Sequence, residues 1–428
     1  MGASTGKRRL VTEDLSLVDD SECTILHADM DAFFAAVELR RRPELVGLPM
    51  MVASTAGRGV VLSATYEARA HGIRSAMPVA TARSMFPQII IVEPDHRAYS
   101  EASARIMEIF STVTPLVEAL SVDEAFLDVG GMRRIAGSPG AIAAKLRSRI
   151  SSELGLTCTI GVAATKFMAK LGSGLAKPDG LLVIPPASVL SVLHPLGVES
   201  LWGVGPKTAQ TLRKIGLRTV GDIAQLDKAS LVSVVGVAGA EKLHELAWGR
   251  DPRSVSERPP ESSMSADETF SSDINDRDEL VREFLRLSDK LARRVRATGQ
   301  RAKTIAVRVR FSDFTTVTRS LTLAAPTDLS RDIHAAAVLL FDKLGTGHRT
   351  LRLVGVRLEQ LVAATEVTQQ LAFGDEKSAG WRQAEQVADE VTARFGAGAV
   401  RPASLMRPHY PGLRGGPNRR ITSVDTQS

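Results

Sequence analysis

The chain has 428 residues, of which 44% are hydrophobic, 24% charged and 4% aromatic, and a formal net charge of +6. This length accommodates two to four hydrophobic cores. No run approaches the roughly 18–20 apolar residues of a membrane span, and the polar start (Lys7, Arg8, Arg9, then Glu13, Asp14, Asp19, Asp20) lacks the apolar stretch of a secretory leader, so a cytoplasmic protein without membrane contact is expected.

Residues 1–21 are polar and aperiodic and read as a disordered tail. Cys23–Ala28 reads as a buried strand and Phe33–Arg42 as a helix stopped by Pro43. Strand-like runs at Pro49–Ala53 and Gly59–Ser63 precede a helix over Thr65–His71, closed by Gly72, and a short helix over Val79–Met85. From there the pattern is regular: strand Ile89–Val92, helix Ala98–Val113, strand Leu116–Leu120, a tight turn, strand Ala125–Val129, helix Ala141–Leu154 and strand Thr157–Val162. Cys23 and Cys158 both lie in strand-like runs and read as small buried hydrophobes rather than a disulfide or metal pair. With residues 33–95 taken as an insertion, the order is βαββαβ, a split βαβ arrangement. Its third strand lies between the first and second, antiparallel to the first, so the end of the Cys23 strand adjoins the start of the Ala125 strand.

Both of those ends are acidic: A-D-M-D-A-F-F at Ala28–Phe34 and S-V-D-E-A at Ser121–Ala125. A buried carboxylate is costly unless a cation or hydrogen bonds compensate it. Asp29, Asp123 and Glu124 together offer hard oxygen donors suited to Mg²⁺ bridging to phosphates, and a pair of such ions serves nucleotidyl transfer. Asp29 and Asp123 would bridge both ions and Glu124 complete the site of the attacking group. Asp31 is expected to face away and to cap the helix that starts at Phe33. An isolated acidic pair is more often a cap or a surface salt bridge; two acidic strings at adjacent strand ends favour a site.

Further along, Val189–Val235 is helical and glycine-punctuated, with L-W-G-V-G-P-K at Leu201–Lys207, and the Pro/Ser-rich stretch Asp251–Ser265 reads as a linker. A second α+β unit follows: helix Asp276–Thr298, strands Thr304–Phe311 and Thr316–Leu323, helix Leu329–Leu344 and strand Thr350–Leu358. Between Lys290 and Arg357, 14 Lys or Arg face 4 Asp, a local excess of 14 − 4 = +10. Helix residues Lys290, Arg293, Arg294 and Arg296 and strand residues Arg308 and Arg310 are expected to put charge on one surface, as a polyanion requires; the plainer alternative is a solvated charged face. After Val362 come Q-Q-L-A-F at Gln369–Phe373, a helix over Gly380–Phe395 and a Gly/Pro/Arg-rich tail.

Five ordered motifs, D-M-D-A-F-F-A-A-V-E, S-A-T-Y-E-A-R-A-H-G-I, S-V-D-E-A-F-L-D, G-V-A-A-T-K-F-M-A-K and A-K-P-D-G, make the chain resemble the Y-family DNA polymerases, particularly the bacterial DNA polymerase IV group. The resemblance runs from about Cys23 to the Q-Q-L-A-F string. It implies a multidomain α+β right-hand polymerase: a split βαβ palm (22–32 and 96–186), inserted fingers (33–95), a helical helix-hairpin-helix thumb (187–252), a linker (253–262), an α+β little finger (263–365) and a C-terminal tail (366–428) with a clamp-binding motif. It implies error-prone translesion synthesis without proofreading, by transfer of a nucleotide from a dNTP to a primer 3′-hydroxyl with two Mg²⁺ ions. The implied partners are primer–template DNA, dNTPs and a sliding clamp, and the implied state is a monomer.

The resemblance also implies roles for matching positions. Asp29, Asp123 and Glu124 would be the metal-binding catalytic carboxylates, with the Met30 carbonyl an extra ligand. Phe33 and Phe34 would belong to the dNTP site, with Phe34 the steric gate whose ring leaves no room for a 2′-hydroxyl and small residues such as Gly59 over the nascent base pair. Ser63, Tyr66, Arg69 and Lys177 would grip the triphosphate. Lys166 and Lys170, one turn apart, would touch primer phosphate or face solvent. Gly203, Gly205 and Lys207 would anchor a DNA phosphate at the hairpin, Arg308 and Arg310 would contact DNA, and Gln369, Gln370, Leu371 and Phe373 would fill a clamp groove, with Ala372 where leucine is usual. Two rival readings are a catalytically silent DNA-binding clamp adaptor and a nucleotidyl cyclase sharing the palm. The intact Asp29, Asp123, Glu124, Tyr66 and Arg69 argue against the first, and the hairpin and basic C-terminal unit against the second.

Overall fold

In the computed structural model, which describes residues 9–256, 261–366, 375–396 and 398–405, the chain divides into two units, 1–259 and 260–428. The first unit is organised around β1 (Ile25–Met30), an apolar strand buried at almost every position. It is followed by α1 (Phe33–Arg41), β2 (Met50–Ala53), β3 (Val61–Ala64), α2 (Tyr66–Ala70), α3 (Val79–Met85), β4 (Ile90–Val92), α4 (His96–Ser111), β5 (Val117–Ala119), β6 (Glu124–Asp128), α5 (Arg133–Ala136), α6 (Pro139–Leu154), β7 (Cys158–Ala163), α7 (Lys166–Ala176) and β8 (Leu181–Ile184). The central sheet has the order β5–β6–β1–β7–β8. β6 runs antiparallel between β1 and β5, as the split βαβ order predicts, and pairs Asp29 with Glu124.

One face of this sheet is covered by α4 and α6, whose Tyr99, Ile106, Phe110, Ile142, Leu146 and Ile150 pack on Leu26, Ala28 and Met30; α7 and the helices after it cover the other. Local signals place these helices. Asp95 caps α4 by accepting from Ala98 N–H, and Ser138 caps α6 with Pro139 in its first turn. Gly155 ends α6 with φ +61, a left-handed turn that costs glycine little. β8 went unread in the sequence: four apolar residues without alternation do not distinguish a buried parallel strand from a helix fragment. The insertion after α1 forms its own small sheet, β3–β2–β4, over Met51, Val61, Ala68, Ile73 and Ala82. Five helices complete the unit: α8 (Val189–Leu193), α9 (Pro206–Lys214), α10 (Val220–Gln225), α11 (Lys228–Val235) and α12 (Val237–Ala247).

Residues 9–21, which read as a disordered tail, follow a defined path against α7, β8 and α6. Thr12 N–H donates to Leu181 O (2.8 Å), and the Asp20 carboxylate accepts from Gly140 N–H at the start of α6 (2.7 Å). Polarity misled here because the segment is held by side-chain and backbone hydrogen bonds to distant residues, with the scattered Leu10, Leu15 and Val18 packing on the core without any local periodicity.

The second unit contains β9 (Ser263–Ile274), α13 (Arg277–Ala297), β10 (Gln300–Phe311), β11 (Thr316–Thr327), α14 (Ser330–Leu344), β12 (Leu351–Ala363) and α15 (Asp375–Phe395). Its antiparallel sheet, β11–β10–β12–β9, packs Ile305, Val307, Val309, Val354 and Val356 under Leu280, Phe284, Leu287 and Leu291 of α13 and Phe341 of α14. β9 starts inside the stretch read as linker, its serines and acids alternating with buried Met264 and Ala266. The expectation of one shared basic surface is corrected. Because Ile305, Val307 and Val309 face the helices, Arg308 and Arg310 lie on the opposite face. Arg296 of α13 instead meets Glu385 and Asp389 of α15, the latter at 2.7 Å, and Arg293 meets Asp289 at 3.0 Å. The clamp-motif residues Gln369, Gln370, Leu371 and Phe373 lie outside the described residues.

Candidate active site

The β1–β6 register brings the acidic strings together. Met30 N–H donates to the Asp123 carbonyl (3.0 Å), closing the junction just beyond the Asp29–Glu124 pair. Among the described residues, potential ligand atoms of His27, Asp29 and Glu124 all lie within 4.8 Å of one another, whereas the Asp123 carboxylate is turned to the Ser121 hydroxyl at 2.5 Å. Cations already answer these acids: Lys177 Nζ lies 2.5 Å from Asp29 and 3.3 Å from the Met30 carbonyl, and Lys170 Nζ lies 2.5 Å from Glu124. Lys170 is therefore a partner of the acidic centre rather than a solvent-facing residue. Lys166, its neighbour one turn away, is buried against Glu118 and the Ser254 carbonyl.

Burial holds the Asp29 and Asp123 carboxyls above the usual carboxylate range, with Lys177 and Ser121 respectively pulling the other way. Burial also opposes ionisation of Glu124, but hydrogen bonds from His27 and Lys170 outweigh it and bring the group down to about 2. His27 itself is pushed down to about 4 by burial, so the neutral imidazole leaves Lys170 as the group that answers Glu124 in charge. His27 was missed, although positions two apart on a strand share a face and the period-two step from Asp29 points to it. The hard carboxylate oxygens of Asp29 and Glu124, with neighbouring lysines that stand in for positive charge, fit a divalent cation.

Asp31 corrects the expectation of a helix cap. Two positions from Asp29, it stays on the same side, and the strand then breaks at Ala32, which has φ +46 and leaves α1 without a side-chain cap. Buried to 3% exposure, the Asp31 carboxylate accepts from Thr159 Oγ1 (2.9 Å), Tyr66 OH (3.3 Å) and Asp179 N–H (2.8 Å). It thus joins α2 to the Ala176–Gly180 turn that carries Lys177. The Thr65 side chain caps α2, and within that helix the Arg69 guanidinium lies over the Tyr66 ring, 4.7 Å from its centroid, while Nε donates to the Ala64 carbonyl. Asp31 thus links Tyr66, with Arg69 on its ring, to the turn that carries Lys177; Ser63 lies on β3 and is buried to 6% exposure.

Phe33 is buried in the core, whereas the half-buried Phe34 ring stacks on Tyr99, with centroids 4.2 Å apart and planes at 13°. Tyr99 OH donates to the buried Glu38 carboxylate (2.7 Å), which Arg41 and Arg42 neutralise. The Phe34 ring therefore rests on a fixed wall. Gly59 is small for a local reason: a Cβ there would lie 2.0 Å from the Ser54 carbonyl oxygen.

At the hairpin, Gly203 requires its glycine because φ is +104, while Gly205 opens α9 with no side-chain cap and open space around it. Gly205 and Lys207 are exposed, and a groove runs from Trp202 past Lys207 to Lys242. In the second unit Arg308 is engaged by Asp267 across β12, in the space left by Gly355, and Arg310 Nε donates to Thr316 Oγ1 (2.9 Å). Part of the basic excess is thus answered within the unit.

Residues 28–174 match the impB/mucB/samB family, 261–373 the C-terminal domain of that family, and 197–247 a SAM-like helix-hairpin-helix tandem. The chain is 41% identical over 387 residues to a DNA polymerase IV of Desulfatibacillum aliphaticivorans, covering 90% of this chain and 98% of the relative. It is 42% identical over 369 residues to a DNA polymerase IV of Streptomyces coelicolor, covering 86% and 76%. A solved Y-family DNA polymerase chimera of Dbh and Dpo4 superposes with a TM-score of 0.74 at 26% identity, covering 79% of this chain and 99% of the chimera. The architecture is accordingly that of palm, fingers, thumb and little finger, a fold that works with divalent metal, primer–template DNA and dNTPs. No helix among the described residues is long and apolar enough to cross a membrane. The chain belongs to the Y family of DNA polymerases, of the DNA polymerase IV type, and is a DNA-directed DNA polymerase of the translesion class.

Proposed function

We propose that the chain performs error-prone translesion synthesis by a two-Mg²⁺ mechanism without proofreading, as a cytoplasmic monomer recruited by a sliding clamp. The observation that carries the catalytic part is the pairing of Asp29 with Glu124 beside Asp123, with Lys177 on the Asp29 carboxylate. In the reaction the primer 3′-hydroxyl gives up its proton to solvent water and attacks the α-phosphorus in line, the bond between the α-phosphorus and the oxygen bridging to the β-phosphate breaks, and pyrophosphate leaves. The bound ions supply acidity to the hydroxyl and neutralise charge on the leaving phosphates. Asp29, Asp123, Glu124 and the Met30 carbonyl would hold these ions, with Asp123 leaving its contact with Ser121 to do so.

Lys177, Arg69 and Tyr66 bind the triphosphate, with Lys177 exchanging its contact with Asp29 for a phosphate oxygen. Phe34, backed by Tyr99, excludes a 2′-hydroxyl by overlap and offers it no hydrogen bond. The backbone at Gly203 and Gly205, with Lys207, Arg308 and Arg310, holds DNA through sequence-independent phosphate contacts. Primer extension with Mg²⁺ tests the assignment. Asp123→Asn is expected to reduce extension by more than ~100-fold, beyond the ~10–100-fold typical of losing a supporting residue around a metal, and undiminished extension overturns the metal site. Deleting Gln369–Phe373 is expected to abolish stimulation by a sliding clamp and to leave clamp-free extension intact; persistent stimulation removes the motif from the reading.

A further inference from the structure

The first 27 residues precede the stretch matched by the impB/mucB/samB family, yet residues 9–12 are built into the wall of the triphosphate site. The Arg9 guanidinium donates from Nε to the Ala176 carbonyl (3.1 Å) and from Nη2 to the Pro178 (2.6 Å) and Asp179 (3.4 Å) carbonyls. Leu10 N–H donates to the Leu175 carbonyl (3.2 Å), and Thr12 pairs with β8 on both sides, its N–H reaching Leu181 O (2.8 Å) and its Oγ1 accepting from Val183 N–H (3.0 Å). Leu10 also packs against the apolar cluster shared by α7 and the helices beyond it.

Apart from the Asp179 carbonyl, which Arg147 also reaches, these contacts include the open carbonyls at the end of a helix. The last carbonyls of α7, at Leu175 and Ala176, have no partner within the helix, and a cation there also meets the negative end of the helix dipole. The turn that follows carries Lys177 and is held by Asp31, which accepts from Asp179 N–H, and by Arg147, which donates to the Asp179 carbonyl (2.6 Å). Arg9 adds bonds to the Ala176 and Pro178 carbonyls and shares the Asp179 carbonyl with Arg147. Lys177 therefore projects from a turn clamped between two arginines and a buried carboxylate.

We propose that residues 9–12 form a positioning strap for nucleotide binding. Arg9, acting through the Ala176–Asp179 carbonyls, holds Lys177 where it meets the triphosphate, so that a segment outside the matched polymerase region sets part of the affinity for the incoming dNTP. Arg9 is a positioning residue and touches neither metal nor nucleotide. The proposal rests on the reading of Lys177 as a triphosphate ligand.

The test uses the full chain with Mg²⁺ and a primer–template ended by a 3′-dideoxynucleotide, titrated with the correct dNTP so that affinity is read without turnover. Arg9→Ala is expected to raise the dNTP Kd about three- to tenfold with DNA affinity unchanged, and Arg9→Lys, which reaches fewer carbonyls, to fall between. In a Lys177→Gln background the Arg9→Ala effect should vanish, because coupled residues are non-additive. An unchanged Kd in Arg9→Ala, or an equal effect in both backgrounds, overturns the strap and leaves residues 9–12 as edge packing alone. Lys177→Gln without any effect on Kd rejects the Lys177 assignment itself, an outcome separate from failure of the strap.

Discussion

In the N-terminal unit the carboxylates of Asp29, Asp31 and Glu124 are largely buried, and each is met by named donors: Lys177 for Asp29, Thr159 and Asp179 N–H for Asp31, Lys170 for Glu124. In the C-terminal unit Arg308 and Arg310 stand on an open sheet face where water competes, and Arg308 also has Asp267 as a partner. The same element, a β-strand, carries charge in both. The difference lies in the medium: away from water each interaction is strong and position-dependent, whereas on the exposed sheet it is weak, replaceable and screened by salt. Substitutions in the first unit should accordingly have large, specific effects, and those in the second small, additive ones.

The sharpest way to break that contrast is at the sugar. Phe34→Val is expected to raise ribonucleotide insertion relative to deoxyribonucleotide by roughly 10- to 100-fold, measured by single-nucleotide insertion kinetics; unchanged sugar selection removes the gate role and with it the claim that buried neighbours such as Tyr99 matter for specificity. Asp31→Ala comes next. Loss of the shared acceptor strands Thr159 and Asp179 N–H, so a stability decrease of about 1–3 kcal/mol should accompany a dNTP KM raised more than kcat is lowered, read by thermal unfolding and steady-state extension. If KM stays fixed while stability drops, Asp31 supports the fold only.

At the small end is Arg308→Ala in the second unit, and Lys207→Ala belongs with it although Lys207 lies in the first unit, because its side chain is exposed to the same medium. Each should weaken primer–template binding only about two- to threefold and reduce the slope of log K against log salt by roughly one. A loss of several orders of magnitude from either would mean that the exposed charges act as specific anchors and would erase the distinction between buried and exposed charge.

Much of this organisation was legible in the sequence because it rests on short-range rules. Antiparallel pairing of β1 with β6 follows from element order, and strand periodicity then fixes which carboxylates meet. Tyr66 and Arg69 share a helix face by spacing alone. Asp31 was misread although the period-two step from Asp29 puts it on the same side; what composition does not announce is the left-handed Ala32, which leaves α1 without a side-chain cap. The grouping of α13 arginines with those of β10 failed for a similar reason: charge counts carry no information on which face of a sheet a helix covers, or on Glu385 and Asp389 arriving from α15 about 90 residues later to take up Arg296.

By itself, then, the sequence determined the order of β5, β6, β1 and β7 and the acidic junction, since each depends on neighbours within a few positions or on the split βαβ topology. Tertiary structure alone decided which charges are already answered. His27, Lys170, Arg147 and Arg9 reach the site from segments as much as 170 residues away from their partners. Such pairings depend on packing, because desolvation makes a buried charge find its partner wherever in the chain that partner lies.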